Sequence, residues 1–390
     1  MKRLFILVLV MALLVSLFIG CGTSQESSQA TTEESAQSED TQTTEAAETE
    51  EVDYSNIKIG MLLVRTTTDG GWCQAMYEGL MRSVEQLGLT EDQYVVVGEL
   101  PEGGAEADST IVQMVDDGCN IIFGTSAGNT VNMTAAYPNY PDVTFVQFEG
   151  REGAANYGSF TCWDMDAIFM CGYAAALMSE VDDLGFVAPQ PTASVIRAIN
   201  SWSAGAKAAN ANATVHVLWA NSWFDPAAEK ECANSLIDDL GVQAIGFHGS
   251  STAIPRVASE AGIYCTGFHI DMHDYAPDAM LTSFMWNWTP IFNEIITEVA
   301  TGSFNSDLRY MGMAEGAASI APWNTDIMPQ DVIDQCDAMY KSIINGEYVV
   351  MCGPLYDNEG NQILAEGETF DVEGMTDMFF LLDNVVGDVP

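Results

Sequence analysis

From residue 54 onward, apolar runs rich in Val and Ile recur at short intervals: 57 to 64 (IKIGMLLV), 93 to 99 (QYVVVGE), 120 to 124 (NIIFG) and 143 to 148 (VTFVQF). Between them lie stretches with helical spacing of their apolar positions, as at 73 to 87 and 105 to 117. A second series follows, with strand-like runs at 184 to 188, 214 to 220, 244 to 248 and 263 to 268, and helical stretches at 192 to 209, 226 to 240 and 252 to 261. Strands that are apolar along their whole length, alternating with amphipathic helices, predict parallel sheets covered on both faces. Two such series predict two α/β lobes. The length of 390 residues agrees, since single cores stop growing at roughly 250 to 300 residues. Open parallel sheets take ligands at the carboxyl ends of their strands, so the loops after these strands are where function is expected.

The chain before residue 54 follows neither pattern. Met1-Lys2-Arg3 is basic, and the apolar run from Leu4 to Ile19 is shorter than the about 20 residues of an ordinary spanning helix. It ends at Leu17-Phe18-Ile19-Gly20-Cys21, which resembles a bacterial lipoprotein signal in which Cys21 is acylated and becomes the new N-terminus. Residues 22 to 53 hold Thr, Ser, Gln, Glu and Ala with no Lys or Arg. Such a segment buries too little surface to offset its ordering entropy and reads as a disordered tether. The expected organisation is a signal peptide over 1–20, lipidated Cys21 and tether over 21–53, a first lobe from 54–165 plus about 282–312, and a second from 166–281 plus about 313–390. The globular part is placed at the outer face of the cytoplasmic membrane, held by the lipid alone.

Charge narrows the partners. Twelve Lys and Arg stand against 56 Asp and Glu, a formal net charge of −44. A surface this acidic repels phosphate backbones and anionic headgroups, which excludes a nucleic-acid binder and leaves a neutral or cationic ligand as the expectation. The eight cysteines after Cys21 form no C-x-x-C and match no zinc framework. Several sit inside apolar patterns, as Cys162, Cys171 and Cys265 do, and read as buried free thiols.

Enzyme motifs are sparse. No Lys follows a Gly, so there is no G-K-[ST] phosphate loop, and no G-x-G-x-x-G opens a helix. Gly124-Thr125-Ser126-Ala127-Gly128 fits G-x-S-x-G after a strand, the setting of a nucleophile elbow; the same small residues also suit a plain strand-to-helix turn. His269, Asp271 and His273 alternate and would share a face if the segment were extended, which is a weak metal pattern. No metal or other cofactor is expected.

Two loops are more informative, the one after the first strand of the first series and the one after the corresponding strand of the second, 214 to 220. One reads Thr66-Thr67-Thr68-Asp69-Gly70-Gly71-Trp72, the other Asn221-Ser222-Trp223-Phe224-Asp225-Pro226. Each offers an aromatic at a helix start beside an Asp. Two aromatics facing across a cleft would clamp a flat heterocycle, each stacking contact adding about 0.5–1.5 kcal/mol beyond area burial.

Further runs complete a resemblance: D-G-G-W-x-x-x-x-x-E-G-L from Asp69 to Leu80, Phe148-Glu149-Gly150, Gly172-Tyr173-Ala174-Ala175-Ala176, Ile196-Arg197-Ala198-Ile199-Asn200, the Asn221–Pro226 loop, and Leu281-Thr282-Ser283 with Trp286-Asn287-Trp288. Over residues 55 to 390 the chain resembles the basic membrane protein family of ABC-importer substrate-binding lipoproteins, which includes purine nucleoside receptors. The resemblance implies a two-lobed type I periplasmic-binding-protein-like fold with three crossovers forming the hinge, no catalysis, a monomeric receptor, and permease and ATPase partners in other chains. It also implies a purine held between aromatics of the two lobes: Trp72 and Trp223 as the stacking pair, with Asp69, Asp166, His269, Asp271 and Trp286 around them.

Three positions depart from the nucleoside-receptor pattern. Cys73 stands where Asn is usual, His269 where Asp is common and Trp286 where Lys is common. Losing that Lys and Asp removes groups expected to hold a ribose, and the expectation leans to a bare base such as adenine, with His269 hydrogen-bonding a ring nitrogen. The alternatives are a sugar-type receptor or a surface sensor of the same fold, and a serine hydrolase built on Ser126.

Overall fold

A computed structural model describes residues 52–151 and 153–390; the expected signal segment, Cys21 and the tether up to 51 lie outside the described residues. The chain first lays down β1 (Ile59–Leu62), α1 (Trp72–Leu87), β2 (Tyr94–Val97), α2 (Ala105–Asp116), β3 (Ile121–Gly124), α3 (Thr130–Ala136), β4 (Thr144–Phe148) and β5 (Tyr157–Cys162). It then crosses through α4 (Met165–Met178) into β6 (Asp183–Ala188), α5 (Ala193–Ala209), β7 (Thr214–Trp219), α6 (Pro226–Leu240), β8 (Ala244–Phe247), α7 (Ala253–Ala261), β9 (Tyr264–Gly267) and β10 (Met280–Trp286). Helix α8 (Thr289–Thr301) and β11 (Leu308–Met311) return to the first sheet. A third crossing leads to β12 (Ala318–Ile320), α9 (Gln330–Ile344), β13 (Leu355–Tyr356), β14 (Gln362–Leu364), α10 (Val372–Thr376) and β15 (Val385–Val386).

The first sheet has the order β11-β5-β4-β3-β1-β2 and the second β12-β10-β9-β8-β6-β7-β15. Within them the β10–β12 pair alone is antiparallel. The fold is thus the two-lobed α/β architecture with three crossovers that the alternating pattern and the resemblance predict. The second crossing falls later than the expected 282. The apolar run from Met280 to Trp286 pairs with β9 and β12 in the second sheet, and the chain leaves it only between Trp286 and Thr289.

The crossings are built to be rigid on one side. Helix α4 is apolar around most of its circumference, the pattern of a helix buried in a core. It presses so closely on α5 that a Cβ on Gly172 would stand 1.8 Å from the Trp202 carbonyl oxygen, and one on Gly205 2.0 Å from that of Phe169. Asp164, just ahead of α4, turns its carboxylate away from the helix start and takes two hydrogen bonds from Arg197 of α5, at 2.8 and 3.0 Å. Both side chains are buried. Glu149 comes from the first lobe, on the loop after β4, and stands 3.7 Å from the same guanidinium.

All eight cysteines between 73 and 352 are free, six of them buried. No helix among the described residues is long and apolar enough to cross a membrane.

Replacing Gly172 by Ala should force α4 and α5 apart at a cost of about 1–3 kcal/mol, because overpacking displaces backbone that has nowhere to move. A thermal melt followed by circular dichroism should show the loss, and an unchanged midpoint would contradict the close approach.

Candidate ligand-binding site

The loop after β1 brings Trp72 into place. Asp69 accepts hydrogen bonds at Oδ1 from the backbone amides of Gly71 (2.9 Å) and Gln74 (3.0 Å), and at Oδ2 from that of Cys73 (3.2 Å). These are the unpaired amides of a helix start, and a carboxylate there also meets the favourable end of the helix dipole. Trp72 is therefore the first residue of α1, with its ring over the strand ends. Its indole N–H donates to the Thr125 carbonyl at 3.0 Å, in the loop after β3.

Around that ring the structure assembles aromatics from both lobes. Phe148, the last residue of β4, meets Trp72 edge-on at 4.7 Å between centroids; Trp288 does so at 5.6 Å and Trp286 at 5.6 Å. Trp286 and Trp288 stack on each other at 4.9 Å with planes 19° apart. The Trp286 indole N–H donates to Nδ1 of His269 at 2.8 Å. His269 follows β9 at the carboxyl end of the second sheet, in a left-handed backbone conformation (φ 76°) that a non-glycine residue adopts only under constraint. His248, after β8, lies 5.3 Å from His269, and Trp223 lies 6.2 Å from His248. The two expected clamp residues are thus joined through a pair of imidazoles and make no direct ring contact.

The lobes touch over this cluster. The Trp72 amide donates to Ser250 Oγ at 3.4 Å, and the Arg65 guanidinium lies 4.1 Å over the Phe224 ring. Trp223 beside it remains half exposed, at 50 %. Sandwiching a flat ligand between two rings requires about 7 Å, two stacking distances of roughly 3.5 Å. Trp72 and Trp286 stand closer than that, so a ligand placed between them has to part the lobes.

Both imidazoles are neutral. Burial pushes His269 well below the usual histidine range, with His248 adding a smaller push. Burial, with the Arg197 charge added, brings His248 down to about 3. His248 Nδ1 is shut off from solvent without a partner, as is the Trp288 indole nitrogen.

Of the expected site residues, Trp72, His269 and Trp286 come together, and Trp223 borders them. Three carboxylates are occupied elsewhere. Asp69 caps α1; Asp271 is exposed and accepts from the His273 amide at 3.0 Å. Asp166, pushed up to about 6 by burial and then by Asp164 and Glu315, hydrogen-bonds the Trp163 side chain near the crossing.

Ser126 sits in extended backbone ahead of a short helical turn and donates to the Glu102 carboxylate. No histidine pairs with it, and the loop is a plain strand-to-helix turn. His269 and Asp271 lie in a loop and His273 opens a short helical turn, so alternation does not align their side chains, and no metal-holding cluster occurs among the described residues.

Phe148, Trp288 and His248 complete the cluster without having been singled out beforehand. The first two stand inside the Phe148-Glu149-Gly150 and Trp286-Asn287-Trp288 runs; His248 has no such sequence signal. On the opposite face of β5 from Phe160, a polar groove of about 1070 Å³ is lined by Ser159, Thr161, Thr130, Glu149, Arg151 and Glu373. The sheet separates it from the rings.

Two parallel-sheet lobes that meet over aromatics at their strand ends are the arrangement of a small-molecule binding protein. Residues 56–353 match the ABC transporter substrate-binding protein PnrA-like family, and the chain belongs to that family. It is similar to a purine-binding protein of Brucella abortus, 31% identical over 334 residues that cover 86% of this chain and 94% of that protein. It is equally similar to a putative ABC transporter glucose-binding protein of Haloferax volcanii, 31% identical over 309 residues, 79% of this chain and 77% of the relative. Among solved structures, an ABC transporter solute-binding protein from Conexibacter woesei superposes with a TM-score of 0.62 at 18% identity, covering 75% of this chain and 98% of that one. Proteins of this family bind a small molecule without transforming it, work with permease and ATPase components, and act at the outer face of the membrane.

The neutral imidazoles carry a consequence for stability. Below the ordinary histidine value of 6.5 the unfolded chain takes up a proton at His248, while the folded chain takes it up only near pH 3. Stability attributable to His248 is therefore full above pH 6.5 and falls as the pH drops below it. Urea midpoints taken at about pH 7.5 and pH 5 should differ more in the wild type than in His248→Gln. Equal differences would mean that the folded protein protonates this ring.

Proposed function

We propose that this protein captures a purine between its lobes for an ABC importer. The observation that carries the reading is the aromatic cluster of Trp72, Phe148, Trp286 and Trp288 at the strand ends. It offers broad π faces, since two of its three indole N–H groups are consumed within the protein, Trp72 on Thr125 and Trp286 on His269. Faces with few spare donors suit a flat heterocycle better than a ring of hydroxyls, which asks for many hydrogen bonds. The purine-binding relative in Brucella abortus supports the same reading.

Trp72 supplies one wall, Trp223 the outer wall, Trp286 the floor and His269 the polar contact. The base is favoured over the nucleoside, because His269 and Trp286 replace the Asp and Lys expected to hold a ribose. Cys21 carries the lipid that holds the receptor at the membrane, and the chain works as a monomer. The second reading, a sugar receptor, is favoured by the glucose-binding relative in Haloferax volcanii.

Calorimetry with adenine, adenosine and glucose separates the two readings. Adenine should bind the wild type, and Trp72→Ala should weaken it by about 2–4 kcal/mol, the cost of truncating a central aromatic anchor. Adding Trp223→Ala should abolish binding without loss of fold. Glucose binding with no response to purines would replace the purine reading with the sugar one.

A further inference from the structure

The hydrogen bond between Trp286 and His269 fixes where the imidazole proton sits. An indole nitrogen can only donate, so the His269 Nδ1 that receives it at 2.8 Å has to present a lone pair. His269 is buried, with 3 % of its surface exposed, and no carboxylate hydrogen-bonds it. A neutral ring whose Nδ1 is bare carries its one proton on Nε2, and Nε2 has no acceptor among the described residues. Neighbouring rings and the backbone hold the residue in place around this contact. Trp286 stacks along it at 6.4 Å, Phe268 and His248 stand edge-on at 4.7 and 5.3 Å, and the Trp286 amide donates to the His269 carbonyl at 3.2 Å.

We propose that Trp286 acts as a positioning residue which locks His269 as an Nε2–H donor, and that the receptor thereby selects flat heterocycles presenting a hydrogen-bond acceptor, a bare ring nitrogen or a carbonyl oxygen, to the second-lobe wall. This rests on the reading of the cleft as a purine site. A ligand of the same shape with an N–H at that position meets donor with donor, and one with a C–H leaves a buried N–H without a partner. Either mismatch weakens binding about ten- to hundredfold, the effect of stranding one buried hydrogen-bonding group. A carboxylate at position 269 would make the opposite choice, accepting from ligand N–H and O–H groups. The His269 and Trp286 substitutions relative to the nucleoside-receptor pattern therefore act together, since the histidine becomes a committed donor only when the tryptophan is present.

Two measurements on the full folded chain test this. Nitrogen-15 NMR of the histidine side chains, without ligand, should show His269 with Nδ1 unprotonated and Nε2 protonated, and Trp286→Phe should give a mixture of the two tautomers. Calorimetry should then compare adenine with the adenine analogues in which N1, N3 or N7 is replaced by carbon. The wild type should lose about ten- to hundredfold in affinity for the analogue lacking the nitrogen that faces His269. In Trp286→Phe, which keeps an aromatic face, the ratio between adenine and that analogue should shrink towards one. A protonated Nδ1 in the wild type overturns the proposal, as does a ratio unchanged in Trp286→Phe. If the tautomer is as stated and no purine binds the wild type, the purine reading fails, and the selection inferred from it fails with it.

Discussion

The arrangement of the two lobes depends on one buried cation. Arg197 lies in the interior of the second lobe, where desolvation opposes its charge; the Asp164 carboxylate more than offsets this and leaves the guanidinium more basic than usual. Such a pair adds little over a well-packed apolar substitute, but removing either partner strands a charge at a cost of about 3–5 kcal/mol. Its value here is positional. Asp164 belongs to the first crossing, Arg197 to α5 and Glu149 to the first lobe, so three separate parts of the chain are registered on one guanidinium. Desolvation raises Glu149 above the usual carboxylate range and Arg197 pulls it back.

That ionic hinge and the aromatic site are one residue apart on the chain. Glu149 reaches Arg197 while its neighbour Phe148 packs on Trp72, and the left-handed backbone at Glu149 (φ 52°) turns the two side chains to their different partners. A similar adjacency holds at the second crossing. Trp286 ends β10 in the second lobe, Trp288 precedes α8 in the first, and their rings stack across the joint. Asn287 between them ties this crossing to the third, through its amide to the Ala317 carbonyl and its side chain to that of Gly316, both at 2.8 Å. Rotating one lobe against the other has to shear the Trp286–Trp288 stack. The ring geometry a ligand meets and the hinge angle are thus set by the same few residues.

Much of this was legible in the sequence, for identifiable reasons. Apolar strands such as IGML of β1 and IIFG of β3 are buried on both faces and announce themselves. Strand β5, with Gly158, Ser159 and Cys162, carries no such signal, because one of its faces lines a polar groove; and the boundary expected near 282 falls inside β10, whose place in the second sheet is decided by its pairing with β9 and β12. At the site, Trp72, Trp286 and His269 stood out as aromatic or unusual residues after strand ends. The carboxylates Asp69 and Asp271 stood out equally but serve their own backbone amides, since an Asp ahead of a helix or turn is as often a cap as a ligand contact. His248 could not be found from its neighbours in sequence; only the folding of β8 beside β9 places it next to His269.

As the proposed site, the cluster would let so acidic a chain hold a ligand without salt bridges. Trp72 meets Phe148 and Trp288 within the first lobe, and these contacts survive opening; its edge contact with Trp286 does not. That contact is worth about 0.5–1.5 kcal/mol beyond burial, one of several contacts between the lobes beside the Trp72–Ser250 hydrogen bond and the Arg65–Phe224 contact. On the proposed reading, a flat ligand entering between the rings would exchange one edge contact for two full faces and satisfy the Nε2–H of His269. A ligand shifts a two-state equilibrium only by its difference in affinity for the two states. On the proposed reading the difference comes from completing an aromatic sandwich whose halves sit on opposite lobes, so that the lobes would close on the ligand that fills it.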